Sequence, residues 1–325
     1  MIQYKKIIKT LWSITKSKYI LLPFVVILCV IVVLCIYPKS EKKIKIAIAT
    51  TVKNPHKLND WIKYHVKIGF DNMYIVFDDE TENSNIQNSH NIKIFKNDKK
   101  WKDELDKLKN VDYYKNNINE VMSRQILNFT NVRNYARKDK VDWLLNIDAD
   151  ELFYCEEYTL NSIFDNAYDI INFKNYEMIP TKDNYTNCFR MGVNFKTDNN
   201  TYNAYANGKS AVKVNSEAVM SGVHDFDKGL KKSAQIGKIL HYPSCNFDEY
   251  INKYKILGKF SDKWWNSVDI PFDFHKESRD AITSCKEGSD CINNIRKYYN
   301  EKNVLNDTYN KEHIKTINFV KKQLE

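Results

Sequence analysis

The sequence predicts an α/β protein, a mixed sheet flanked by helices, carried behind an N-terminal membrane helix. Three observations lead there. Short β-rich runs alternate with amphipathic helices through the first half, the pattern of βαβ units. Acidic residues fall directly after the second and fourth of those runs, as Asp78-Asp79 and Asp148-Ala149-Asp150. Residues 19–37, YILLPFVVILCVIVVLCIY, are nineteen in a row without a formal charge.

That apolar run spans about 28 Å as a helix, close to the hydrocarbon thickness of a bilayer. Pro23 falls in its first turn, where a missing N–H costs little. A cleaved signal peptide would be shorter and end in small residues, whereas this run ends Cys35-Ile36-Tyr37-Pro38, so an uncleaved anchor is the better reading. Five Lys and no acid precede it; four Lys and one Glu follow through Lys45. The bias favours a cytoplasmic N-terminus and a translocated bulk, on the lumenal or extracytoplasmic side. This is a single-pass type II plan: residues 1–18 a cytoplasmic tail, 19–37 the anchor, 38–45 a short stem, 46–260 the main α/β domain and 261–325 a helical C-terminal extension.

The soluble part opens with a strand over 44–51, mostly apolar, as an interior strand of a parallel sheet requires. Asn54-Pro55 then reads as N-cap and first residue of a helix. Leu58, Trp61, Ile62, His65 and Val66 recur at helical spacing until Gly69 stops them. His65, on that apolar face, reads as a hydrogen-bonded packing residue. A second strand, 73–77, closes a βαβ unit; a third follows at 92–95, a long helix at about 119–138, and a fourth strand at 141–147. The connectivity is that of a Rossmann-like nucleotide-binding sheet, in which ligands sit at the carboxyl ends of strands. Thr50, Asp78 and Asp148 all fall there. Beyond 152 come shorter strands, around 170–179, 210–214 and 238–242, then helices, the first with Phe247, Tyr250, Ile251 and Tyr254 on one face.

Composition excludes several functions. The 325 residues carry 50 Lys+Arg against 41 Asp+Glu, a net charge of +9. Nine Lys and one Glu lie in the first 45 residues, which leaves 41 basic and 40 acidic side chains beyond them. The positive charge belongs to the membrane end, and nucleic acid is not an expected partner. No two of the 8 Gly are spaced as G-x-G, so the dinucleotide fingerprint and the P-loop are both absent. No C-x-x-C occurs; Cys285 and Cys291 enclose a turn-rich loop that suits either a disulfide or two ordinary thiols. Four N-x-[ST] sequons, at Asn128, Asn184, Asn199 and Asn306, carry no weight in a chain with 38 Asn.

Asp148-Ala149-Asp150 holds the chemistry. Two carboxylates at i and i+2 on a strand end point the same way. Unpaired they repel, and a hard divalent cation, Mn²⁺ or Mg²⁺, relieves the repulsion and bridges them to a diphosphate. Alone, D-x-D is common by chance, with a solvated turn as its bland alternative; after an apolar strand it gains weight.

Several blocks in order then resemble glycosyltransferases of the GT-A fold, the family 92 group and its relatives in the family 2 clan. They are Thr51-Val52-Lys53-Asn54 with Asp60 to His65 and Gly69; Tyr74 to Asp79 with Ser84; Arg133-Asn134 with Trp143 to Phe153; Gly208 to Val212 with Gly222-Val223-His224; and His241-Tyr242 with Lys253. Together they cover about residues 46–260. Pro55 stands where the family has an acid, Leu152 where Phe is usual, and the tail after 260 matches nothing.

The resemblance implies transfer of a sugar, with inversion, from a UDP-sugar to a glycan, glycoprotein or glycolipid acceptor. It implies Asp148 at ribose or metal, Asp150 on the metal, and a later His completing the metal shell, His241 ahead of His224. Thr51, Lys53 and Asp78 would line the nucleotide pocket, with Arg133 and Lys209 on the diphosphate. An inverting enzyme also needs a carboxylate base. Asp225, Asp227, Glu177 and Glu151 are candidates, Asp225 preferred. Trp264-Trp265, Tyr202 and Tyr205 suit acceptor sugar faces or plain packing.

Three other readings compete. A sugar nucleotidyltransferase would have a Gly-rich loop where this chain has Thr50-Thr51-Val52-Lys53-Asn54-Pro55. A metal-dependent phosphohydrolase would need a denser His/Asp cluster. A catalytically inactive, glycosyltransferase-like binding protein would lose the carboxylates, which are intact here.

Overall fold

The computed structural model describes residues 43–325 except 56, 83–85, 87–88, 90, 165–166, 181–186, 191–192, 197–206, 245, 259, 264–268, 286–288 and 304–310, with backbone alone at 193–196, 289, 303 and 311–313. The anchor expected at 19–37 lies outside these residues, as do Ser84, Tyr202, Tyr205, Trp264 and Trp265. Among the described residues no helix is long and apolar enough to cross a membrane.

In chain order the elements are β1 (Ile46–Val52), α1 (Leu58–Lys67), β2 (Asn72–Phe77), β3 (Ile92–Lys96), α2 (Lys99–Asp106), α3 (Asp112–Asn116), α4 (Val121–Lys138), β4 (Trp143–Asn146), β5 (Glu151–Tyr154), α5 (Leu160–Ile163), β6 (Ile170–Pro180), β7 (Val193–Lys196), β8 (Lys209–Lys213), β9 (Val219–Gly222), β10 (Asp225–Asp227), β11 (Lys231–His241), α6 (Phe247–Leu257), α7 (Asp273–Ser284), α8 (Ser289–Asn303) and α9 (Lys311–Leu324). The main sheet runs β3-β2-β1-β4-β8-β6-β11-β5, with β7 beside β6, while β9 and β10 form a separate hairpin. From β3 to β4 all pairs are parallel. Then β8 lies antiparallel to β4 and β6, and the late strand β11 runs parallel to β6.

This is the mixed sheet flanked by helices that the strand spacing implies. Its central strands are buried on both faces, which is why β2 reads as an unbroken apolar run rather than an alternating one. One face packs Trp61 and Tyr64 of α1 and Val320 and Leu324 of α9 over Leu145 and Phe153. The other packs Trp101, Leu105, Ile126, Phe129 and Val132 over Leu144 and Val212. A third, smaller core joins Phe247, Tyr250, Ile251 and Tyr254 of α6 to Phe274, Ile282, Ile295 and Tyr299, so the α6 stripe faces inward as its spacing requires.

Two local readings change. The helix expected from Asn54-Pro55 begins at Leu58, because Asn54 has φ 49° and cannot take the extended backbone of an N-cap. Its N–H donates instead to the Glu82 carboxylate at 2.8 Å. The aspartates expected on a strand end lie two and four residues past β4, in the turn that leads straight into β5. Among the described residues that strand pairs with β11 alone.

Cys285 and Cys291 are joined as a disulfide. Cys188 is also disulfide-bonded, and Cys155 is a buried free thiol.

Candidate active site

β1 leads through α1 to β2 on one side, while β4 lies on its other side and continues away from it. A crevice opens outside the carboxyl ends of strands where connections diverge in this way. Residues 148–151 sit at that point, and Asp148, Asp150 and Glu151 each have a partner drawn from elsewhere in the chain.

Asp148 accepts from Gln125 Nε2 of α4 at 2.9 Å on one carboxylate oxygen, and from Lys209 Nζ at 2.7 Å on the other. Its own N–H donates to Glu151 Oε2 at 2.7 Å, which closes the turn. Asp150 Oδ2 accepts from Lys253 Nζ of α6 at 3.2 Å, with His241 Nε2 3.6 Å away. The Asp150 carbonyl takes the Tyr242 N–H at 2.8 Å, holding the turn against the end of β11. Lys209 Nζ is also 3.8 Å from Glu151 Oε2. Glu177, opposite His241 in the β6–β11 register, places Oε1 4.0 Å from His241 Nδ1. His224 hydrogen-bonds through Nδ1 to the Gly208 carbonyl at 2.8 Å.

Burial and charge set the protonation of this cluster. Burial pushes the Glu151 carboxyl well above the usual range, the nearby Asp148 and Asp150 add to that, and Lys209 opposes it. Burial would lower Lys209, which is 1% exposed, but the charges of Asp148 and Glu151 outweigh it and hold the ammonium above its ordinary value. Burial would likewise raise Asp150; Lys253 and His241 together bring it below the normal carboxylate range. His224 is pushed down to about 3 by burial, with the Lys209 charge adding, so it is neutral at pH 7.

The fold therefore gathers Asp148, Asp150, Glu151, Lys209, His224 and His241 in one place, as the sequence blocks imply. It adds Gln125 and a direct Lys253–Asp150 pair. Gln125 carried no sequence signal, being one polar residue on a long helix. Lys253 lay in the last block, unassigned.

Other expected residues are held by partners outside this cluster. Arg133, expected on a diphosphate, is buried and donates to the carbonyls of Val214, Ala218, Lys213 and Ser216, tying α4 to the loop after β8. Asp78 is ion-paired with Arg124 Nε at 2.9 Å. The Thr51 hydroxyl accepts from Asn128 Nδ2 at 3.3 Å, and Lys53 is exposed. Asp225, on β10, accepts from Asn172 Nδ2 at 2.9 Å and Lys231 Nζ at 2.8 Å; Asp227 lies 3.6 Å from the same lysine. His65 is fully buried, bonded through Nδ1 to the Trp61 carbonyl and accepting through Nε2 from the Phe153 N–H, which makes it the packing residue its helix face implies. Asn128, 1% exposed and bonded to Trp101, is closed to glycosylation in the folded chain.

The donor set does not fit the Mn²⁺ or Mg²⁺ expectation. Among the described residues no group of three or more His, Cys, Asp or Glu side chains could hold a metal ion. Both oxygens of Asp148 are engaged, and each aspartate already faces an ammonium group.

Fold and cluster define an α/β protein with a cluster of mixed charge at its strand ends. No protein-family model matches the chain. Two curated proteins of Arabidopsis thaliana, each named glycosyltransferase-like, are similar to it. One is 23% identical over 262 residues, covering 68% of this chain and 58% of its own length. The other is 22% identical over 261 residues, covering 67% and 51%. The chain thus spans little more than half the length of the curated relatives it matches.

Proposed function

We propose that this protein is a glycosyltransferase of the GT-A arrangement, moving a sugar from a nucleotide sugar, a UDP-sugar first, to a glycan, protein or lipid acceptor. The observation that carries the reading is the convergence of Asp148, Asp150, Lys209 and Lys253 at the carboxyl ends of β1 and β4. The likeness to glycosyltransferase-like proteins supports it.

The chemistry is an in-line displacement with inversion. An acceptor hydroxyl attacks the anomeric carbon, the bond from that carbon to the phosphate oxygen breaks, and the nucleoside diphosphate leaves with the electron pair. A base takes the hydroxyl proton. Of the four candidate carboxylates, Glu151 and Glu177 are fully buried, whereas the Asp225 side chain is 45% exposed. Burial would raise Asp225, but bonds from Lys231, Asn172 and the Phe226 N–H lower it, so it is ionised at neutral pH as a base must be. We assign it that role; Asp225→Asn then lowers kcat by about a hundredfold or more with KM for the donor unchanged.

The apolar run at 19–37 makes this a type II membrane protein in the same reading, its active domain lumenal or extracytoplasmic. The disulfides of Cys188 and of Cys285–Cys291 accord with an oxidising compartment.

The test uses the full chain in detergent micelles, with UDP-, GDP- and CMP-sugars assayed for thermal stabilisation and for donor turnover. A ligand at a hundred times its Kd adds about 2.7 kcal/mol, which a melting curve resolves. Stabilisation by one nucleotide class, with turnover of its sugar, is the expected result. A folded sample that neither binds nor turns over any of them overturns the proposal.

A further inference from the structure

We propose that Lys253 is the cation that meets the leaving diphosphate, with Lys209 behind it, so that this site binds a nucleoside diphosphate without a divalent metal. The inference rests on the glycosyl-transfer reading above and departs from the metal-dependent chemistry that the D-x-D pattern implies.

The first ground is occupancy. A bridging cation needs carboxylate oxygens that nothing else neutralises, and here two ammonium groups face two aspartates. Lys209 Nζ sits 2.7 Å from Asp148 Oδ2, Gln125 takes the other oxygen of that carboxylate, and Lys253 Nζ sits 3.2 Å from Asp150 Oδ2. A dication placed between the aspartates meets both lysines at close range.

The second ground is what Lys253 has left to give. An ammonium carries three N–H donors. Asp150 and the Pro243 carbonyl take two, both at a long 3.2 Å, and the third has no acceptor among the described residues. Its side chain is 28% exposed and Asp150 is 37% exposed, so the pair opens to solvent, whereas Lys209 at 1% does not. A phosphate oxygen is the acceptor such a donor lacks, and the charge-assisted bond it forms is short and strong.

The third ground is support. Lys253 stands on α6, whose first turn is capped by Asn246 accepting from the Glu249 N–H at 2.8 Å. The adjoining apolar face of α6 is fixed by Phe247, Tyr250 and Tyr254 in their own core. The lysine is therefore presented by a rigid element, as a group that must meet charge developing on a leaving oxygen should be. No proton need move: when the anomeric C–O bond breaks, its electron pair stays on the phosphate oxygen, and Lys253 stabilises that charge by hydrogen bonding.

The experiment titrates UDP, GDP and ADP, and the matching nucleosides, into the full chain in detergent, once with EDTA and once with Mn²⁺. Wild type, Lys253→Ala, Lys253→Gln and Lys253→Arg are compared, so that a fold defect in one variant leaves others to read. The expected result is diphosphate binding in EDTA within about twofold of that in Mn²⁺, weakened about tenfold or more by Lys253→Ala or Lys253→Gln, and partly kept by Lys253→Arg, with nucleoside affinity unchanged in each. Diphosphate binding that EDTA abolishes and Mn²⁺ restores overturns the inference and leaves the glycosyltransferase reading standing. Equal weakening of diphosphate and nucleoside in the variants overturns it too, because Lys253 would then be a packing residue. If no nucleoside diphosphate binds under either condition, the glycosyltransferase reading falls and takes this inference with it.

Discussion

Lys209 owes its place to the residue before it. Gly208 has φ +71°, and a Cβ there would lie 1.9 Å from the Phe173 carbonyl oxygen, which is backbone and cannot swing aside. Gly208→Ala should lower stability by about 2 kcal/mol or more and displace the lysine, read as a fall in urea midpoint together with weaker diphosphate binding. His65 makes a different prediction. Burial pushes its imidazole down from 6.5 to about 3, with the Trp61 carbonyl opposing. The folded value is depressed, so the stabilising contribution is whole above pH 6.5 and is lost as pH falls towards 3, by about 1.4 kcal/mol per unit. His65→Gln should flatten the acid limb of stability against pH between 6.5 and 4; an unchanged limb counts against this account. Arg133 is the residue whose sequence reading and structural setting diverge most. A guanidinium beside a predicted nucleotide strand suggests phosphate, but an arginine's donors match carbonyl oxygens equally well, and only the folded loop supplies them.

At the scale of elements, α9 is where the chain's final residues earn a structural role. Val320 and Leu324 are each 1% exposed, and Phe319 meets the ring edges of Tyr64 and Tyr154. Lys63 of α1 donates to the Leu324 carbonyl at 2.6 Å and Lys67 to that of Lys322 at 2.8 Å, so lysines of one helix satisfy the orphan carbonyls of the other. Removing residues 311–325 uncovers α1 and should cost about 1.5–3 kcal/mol for each buried apolar side chain lost. Urea unfolding of the truncated chain checks this, an unchanged midpoint being the adverse result. Helical periodicity announces an apolar face but not what covers it, which is why α9 could be read as a helix without its dock. β5 was hidden for a related reason: four residues after a charged turn have no period of their own, and their partner β11 lies some eighty residues on.

For the whole molecule, the charge balance and the apolar run make a topological prediction. In sealed microsomes, protease added outside should spare residues 46–325 and trim only the N-terminal tail; digestion of the whole domain would contradict the type II arrangement. The order β3-β2-β1-β4-β8-β6-β11-β5 explains why the second half of the chain matters to chemistry that begins in the first. β8 is inserted directly beside β4 and brings Lys209, while β11 ends beside Asp150 and leads into α6 with Lys253.

The sequence by itself determined the α/β class, the first four strands, the apolar face of α6 and the packing role of His65. These follow from local periodicity and from residues that punctuate strands and helices, information that lies within a few positions of each element. Only the tertiary structure decided which charges meet. Asp148 and Lys209 are 61 residues apart and Asp150 and Lys253 are 103 apart. Whether an aspartate faces a vacant crevice or an ammonium group depends on strand order, and no local pattern encodes that.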